Sequence, residues 1–234
     1  MVIPVKDAEY FPETLNSILQ QTLTDLEVIV ITEPEVHVQL EDFRIIHIHN
    51  AKHLGISQAC NLGFAKSTGK YVARTDADDL NHPNRFQQQV DFLEAHPEIG
   101  IVGTQADYVS ESGGYLTHRF LWPGRRKFVG KTRPRVPTDP NELEIVLRHR
   151  MMFFGPTILM RREVLEKLGG YCEDYDICED YEFLLRTLNN GFKIANLGDY
   201  LYKQRMHVKQ FSKRFLPEDF ERTFKKVRGE GIEE

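Results

Sequence analysis

This sequence is short of cysteine, of long apolar runs and of positive charge, and each shortage removes a class of protein. Its three cysteines, Cys60, Cys172 and Cys178, form no CxxC pair. A disulfide framework and a structural zinc site are therefore excluded, and a reducing compartment is expected. No apolar run approaches the roughly 18 residues that a membrane-spanning helix needs. The start, Met1-Val2-Ile3-Pro4-Val5-Lys6-Asp7, has neither the basic opening nor the apolar stretch of a signal peptide. Lys and Arg number 30 against 35 Asp and Glu, a net charge of −5. A nucleic-acid partner is not expected of such a chain, because it lacks the basic excess. The expected location is cytoplasmic, with peripheral association at the cytoplasmic face of the membrane compatible with it. What the sequence does have is 234 residues, 41% hydrophobic and 28% charged, enough for one sizeable globular core.

The first half alternates apolar runs with segments of helical period. Met1 to Val5 reads as a strand. Phe11, Leu15, Ile18 and Leu19 mark one face of a helix, with Pro12 and Glu13 suited to its first turn. Glu27 to Ile31 and Arg44 to His49 read as strands, Ile56 to Ala65 as a helix, and Tyr71 to Thr75 as a strand running into Asp76. That alternation predicts a mostly parallel sheet with helices on its faces. In such sheets ligands bind beyond the carboxyl ends of the strands. Two polar clusters, Thr32-Glu33 and Asp76-Ala77-Asp78-Asp79, sit at such ends.

In the second half, Phe86, Val90 and Leu93 predict a helix starting near Pro83, and Ile99 to Thr104 a strand. Residues 111–138 show no periodicity and hold seven basic residues (Arg119, Arg125, Arg126, Lys127, Lys131, Arg133 and Arg135) against the single acid Glu111. A long loop inside a domain is usually functional or disordered, and this one reads as a candidate lid over phosphates. Asp139-Pro140-Asn141-Glu142 is a helix start with a capping Asp. Thr157 to Met160 reads as a strand and Arg162 to Leu168 as a short helix. Tyr181, Leu184, Leu185 and Leu188 mark a helix stopped by Asn190-Gly191. Arg205-Met206-His207 reads as a surface strand.

Three carboxylates in Asp76-Ala77-Asp78-Asp79 would repel one another without a cation. Oxygen ligands of this kind suit Mg²⁺ or Mn²⁺, although a solvated acidic turn has the same composition. Glu179-Asp180 opens a helix, where acids favour the macrodipole. Adjacent helical residues diverge by about 100°, so only one of the pair is expected to face a given site.

Taken in order, these segments resemble the family 2 nucleotide-diphospho-sugar glycosyltransferases, which have the GT-A fold. The resemblance runs from Met1 to about Ser212. It rests on Ile3-Pro4-Val5; Thr14 to Thr22; Glu27 to Ile31; Gly55 to Gly63; Gly69 to Asp79, similar to the family's Asp-x-Asp strand end; Gly155-Pro156-Thr157 to Arg162; Gly169-Gly170-Tyr171; Glu179-Asp180; and Arg205-Met206-His207. The implied architecture is a single GT-A-type α/β domain. A Rossmann-like nucleotide-sugar-binding half (1–110) is joined to an acceptor-binding and catalytic half (111–215), followed by a C-terminal helix and tail (216–234).

The resemblance also implies roles. Asp78 would ligate the cation, Mn²⁺ or Mg²⁺, and His207 would add a metal or diphosphate contact. Asp180 would be the general base, ionised near neutral pH without special tuning. Nucleotide-sugar contacts would fall to Pro4, Val5, Asp7, Glu33, Asn61, Asp76 and Arg205. The implied donor is a nucleoside-diphosphate sugar, with a UDP-sugar expected, and the acceptor a glycan or a lipid-linked glycan. Three departures stand out: Thr32-Glu33 replaces the family's usual acidic pair, Lys6-Asp7 an aromatic-Asn pair, and Cys60 a common Arg. Two alternatives stay open on the sequence, an inactive nucleotide-sugar-binding relative and a sugar nucleotidylyltransferase. The second usually carries a Gly-rich phosphate loop, which Ile3 to Asp7 lacks.

Overall fold

Val28 to Thr32 is apolar or β-branched at every position, and it forms a strand buried on both faces. Around it the computed structural model, which describes residues 1–116, 135–175, 177–210 and 215–229, builds a layered α/β domain. The strands are β1 (Val2–Val5), β2 (Val28–Thr32), β3 (Ile45–His49), β4 (Tyr71–Ala73), β5 (Leu80–Asn81), β6 (Ile99–Ser110), β7 (Leu159–Arg161) and β8 (Lys193–Met206). The helices are α1 (Phe11–Leu19), α2 (Ile56–Lys66), α3 (Arg85–Ala95), α4 (Pro140–His149), α5 (Arg162–Leu168), α6 (Glu179–Asn189) and α7 (Pro217–Val227).

The order β3-β2-β1 is parallel throughout. It meets a second run, β4-β7-β6-β8-β5, through a parallel bridge between Val2 and Arg74. The first half is thus the expected parallel sheet, while the second half mixes directions: β7 is antiparallel to both β4 and β6, and β6 is parallel to β8. Strand alternation sorts the core into two faces. Val2, Ile29 and Ile31 pack with Phe64 of α2 and with Tyr181, Phe183 and Leu184 of α6. Ile3, Val5, Val28 and Val30 pack with Phe11, Leu15 and Ile18 of α1 and with Phe86 and Leu93 of α3.

Differences from the sequence expectation fall in the second half. The strand starting at Ile99 runs on to Ser110. Thr157 belongs to a 3-10 turn (Gly155–Thr157), and the strand begins only at Leu159. Arg205-Met206 is the end of the 14-residue β8 rather than a surface strand; Arg205 is buried and the strand lies inside the sheet. Its middle, Leu197 to Tyr200, faces solvent in part, which erases any clean period-2 signal. Of the basic stretch, Arg119, Arg125, Arg126, Lys127, Lys131 and Arg133 lie outside the described residues, and with them the candidate lid. Among the described residues no helix is long and apolar enough to cross a membrane.

The start of α4 is capped as its sequence predicts: the Asp139 carboxylate accepts from the backbone N–H of Asn141 at 3.1 Å and of Glu142 at 2.9 Å. Asp139 is exposed, so its removal tests the cap alone. Asp139→Ala is expected to lower stability by about 1 kcal/mol, read as a shift of the urea midpoint at constant slope.

Candidate active site

A cleft of about 1020 Å³ opens where the parallel strands end. Its wall is contributed by the end of β1 (Pro4, Val5) and the loop behind it (Lys6, Asp7, Tyr10), by Glu33 after β2, and by Arg74 and Asp76 to Asp79 after β4. Gly55 to Ala59 at the head of α2, Ile177 to Asp180 at the head of α6, and His207 to Gln210 after β8 complete it. Of the residues singled out on the sequence, Pro4, Val5, Asp7, Glu33, Asp76, Asp78, Asp180 and His207 all line this one cleft.

Two do not. Arg205 is 1% exposed. Its guanidinium donates to the carbonyls of Asp78 (3.0 Å) and Glu111 (2.5 Å) and to the Glu13 carboxylate (2.7 Å), and it stacks 4.7 Å from the Tyr10 ring centre. It braces the acidic turn from behind. Asn61 is likewise used inside the fold. Its amide donates to the Tyr171 carbonyl at 2.9 Å and accepts from the Tyr171 N–H at 2.7 Å, clamping α2 to the segment after α5.

The three acids of the turn are not equivalent. Asp79 is 1% exposed, accepting from the Tyr202 hydroxyl at 2.6 Å and the Arg205 N–H at 2.7 Å. Burial, with the charges of Asp78 and Asp76 behind it, holds its carboxyl well above the usual range. Asp76 receives the Arg74 guanidinium at 2.9 Å. Asp78 is partly exposed, and its Oδ2 lies 2.7 Å from His207 Nε2. Burial and the Asp76 charge raise the Asp78 carboxyl, and His207 opposes the shift.

One oxygen from each of Asp76, Asp78 and Asp79 lies within 4.8 Å of the others. These residues fit a hard divalent cation. The three acids offer oxygen donors, the crowded charge would be relieved by a cation, and beside them His207 Nδ1 is buried without a hydrogen-bond partner among the described residues. Asp79, with both oxygens engaged, is the least suited of the three to ligate it.

At the head of α6 the sequence expectation of one facing acid is revised. Glu179 and Asp180 both reach the cleft wall, because the cleft wraps around the helix end. They differ in what they touch. Glu179 accepts from Arg74 Nη1 at 3.2 Å and is largely buried; burial, then the Asp180 charge, push its carboxyl up to about 7. Asp180 is half-buried and packs on Gly155, where a methyl group would overlap its carboxylate. Burial raises the Asp180 carboxyl and the Arg74 charge opposes this. Cys178, which precedes the pair, holds a left-handed φ of 66° and turns the chain into the helix.

Glu33 accepts from the Leu54 N–H at 3.2 Å and lies 2.9 Å from His53 Nδ1. Burial pushes the Cys60 thiol to about 12, so it is an inert core residue. Arg74 is the residue that sequence reasoning missed. Its signal was available: positions 74 and 76 share one face of an extended chain, so an Arg two residues before Asp76 faces the same site.

Comparison with known proteins agrees with this geometry. The model of Glycosyl transferase family 2 matches residues 1–169. The chain belongs to that family. It is 27% identical over 223 residues to the UDP-Gal:alpha-D-GlcNAc-diphosphoundecaprenol beta-1,3-galactosyltransferase of Escherichia coli, covering 92% of this chain and 75% of the relative. Among solved structures, S. aureus TarS 1-349 in complex with UDP-GlcNAc superposes with a TM-score of 0.72 at 18% identity, covering 97% of this chain and 64% of that one. The mannosyltransferase PcManGT from Pyrobaculum calidifontis, in complex with GDP-Man and Mn²⁺, gives 0.62 at 19% identity over 90% of this chain and 57% of that one. The chain thus spans about two thirds or less of these solved chains. The fold is the GT-A fold of glycosyltransferases, as the sequence resemblance implied, and the enzyme class is glycosyltransferase.

The differing environments of the acids make a prediction. Asp79→Ala strands the Tyr202 hydroxyl and the Arg205 N–H, and is expected to cost about 1–3 kcal/mol of stability. Asp78→Ala removes a partly exposed acid from a crowded turn and is expected to leave the unfolding midpoint nearly unchanged. Chemical denaturation of the two variants side by side checks the contrast.

Proposed function

We propose that the chain transfers a sugar from a nucleoside-diphosphate sugar to an acceptor hydroxyl with inversion, using Mn²⁺ or Mg²⁺. The single observation that carries this reading is the shared cleft, lined by Asp76 and Asp78 at one strand end and by Asp180 at a helix head. The 1–110 half would bind the donor and the 111–215 half the acceptor. Glu33, with Pro4, Val5 and Asp7, stands where the nucleoside would lie, and Asp76 toward the ribose or sugar.

Asp78 and His207 would hold the cation. Bound there, a divalent cation would offset charge on the departing diphosphate as a Lewis acid. Asp180 takes the acceptor hydroxyl proton as that oxygen bonds to the anomeric carbon and the bond from that carbon to the diphosphate breaks. Positioned proton transfer of this kind is typically worth about 10²–10⁴-fold. Arg205, which the sequence offered as a phosphate contact, acts in this reading by bracing the turn that carries Asp78.

A UDP-sugar is the proposed donor, since TarS was solved with UDP-GlcNAc and the Escherichia coli relative is named for UDP-Gal. That relative's name also gives a diphosphoundecaprenol acceptor, which supports a lipid-linked or glycan acceptor here. It also supports peripheral association with the cytoplasmic face of a membrane.

Two measurements test this. Asp180→Asn keeps the shape and removes the proton acceptor, so transfer from the donor that the wild type uses is expected to fall by about 10²-fold or more. Donor affinity should stay within a few-fold; near-normal transfer by this variant places the base elsewhere. Calorimetry with UDP and Mn²⁺ is expected to show metal-dependent binding that Asp78→Ala abolishes. Equal affinity in the variant removes the metal assignment. An inactive relative would bind UDP and turn over no sugar nucleotide at all.

A further inference from the structure

Glu179, buried, and Asp180, half-buried, are successive carboxylates in the cleft wall, and each disfavours charge on the other. A base in that position needs a cation nearby. The cleft is lined by Lys6, Arg74, His207 and Lys209 among its basic side chains. Lys209 is exposed at the mouth and paired with Glu9 at 2.6 Å and Asp7 at 3.7 Å. His207 is engaged with Asp78. Arg74 reaches the head of α6: it is 4% exposed, its Nη1 donates to Glu179 and its Nη2 to Asp76.

Its setting is not that of an ordinary structural arginine. Its guanidinium carbon lies 5.7 Å from the Tyr171 ring centre, and its Nε is buried with no hydrogen-bond partner among the described residues. Leaving a donor of that kind unmatched is costly, so what the position gains is the charge and the two-pronged donor geometry. Among the described residues Arg74 is the one guanidinium lining this cleft.

We propose that Arg74 is a positioning residue: it ties Glu179 down, away from the acceptor, keeps Asp180 as the charged base, and links both to the donor turn through Asp76. This rests on the reading of Asp180 as the base. The groups that face Asp180 are Glu179 and Cys178 on its own segment, Arg74 and Asp76 from β4 and its turn, Cys60 from α2, Tyr171 from the segment after α5, and Gly155 from the 3-10 turn. Arg74 is the sole cation in that set. One Glu179 oxygen is engaged by Arg74 Nη1. Asp180 feels the charge without being bonded to it.

The test is the titration of the Asp180 carboxyl, followed by NMR in protein labelled with ¹³C-aspartate and assigned by its loss in Asp180→Asn. In Arg74→Gln the midpoint is expected to rise by about one pH unit or more, and Arg74→Lys to restore much of the difference. Removing one member of a buried pair can unfold a protein, whereas removing both is tolerated better. The second comparison is therefore Glu179→Gln against Glu179→Gln/Arg74→Met, where the same upward displacement is expected on loss of the arginine. A midpoint that stays put in both comparisons overturns the proposal. Failure of the base reading itself would show separately, as transfer retained by Asp180→Asn whatever the midpoint does.

Discussion

The site is governed by one constraint: five carboxylates, Asp76, Asp78, Asp79, Glu179 and Asp180, converge on a single partly dry cleft, and each must be balanced or neutralised. The structure meets it with three different devices. Asp79 is absorbed into the fold by Tyr202 and the Arg205 N–H. Asp76 and Glu179 share Arg74. Asp180 accepts from the Tyr181 N–H and lies in the field of the same arginine, while Asp78 is met among the described side chains by His207, so a bound cation would relieve it.

The fold sets up this convergence. Parallel strands deliver β1, β2 and β4 to the same edge, and the bridge from Val2 to Arg74 joins the two runs of the sheet at the point where the acidic turn begins. The long strand β8 passes behind that turn and contributes Tyr202, Arg205 and, just past its end, His207. Glu13 and Tyr10 from the first α/β unit close on Arg205 from the other side. The first α/β unit and β8 are thus fastened through the buried Arg205, where a lost partner leaves a costly unpaired group.

Much of this was legible in the sequence, and the failures have physical causes. The first half was read nearly element for element because its apolar periods are unambiguous; β2 has no polar interruption before Thr32. The acidic turn and the Glu179-Asp180 pair were found because clustered carboxylates are informative at strand and helix ends. β8 escaped because Gly198, Asp199 and Tyr200 interrupt its alternation where it faces solvent. Arg205 looked like a phosphate ligand, since burial of a charged side chain against Glu13 and two carbonyls cannot be read from one chain position. Arg74 escaped for the opposite reason: a lone Arg in a strand looks like a solvated edge residue until the strand is known to be interior.

The central claim is that the acidic turn and the helix-head dyad form one donor-and-acceptor site. Crystals grown with UDP and Mn²⁺ and measured at the manganese edge test it most directly. The account predicts an anomalous peak beside Asp78 and His207, with the diphosphate against it and Asp180 across the open part of the cleft. A manganese peak remote from that turn, or UDP seated outside the cleft, would contradict it.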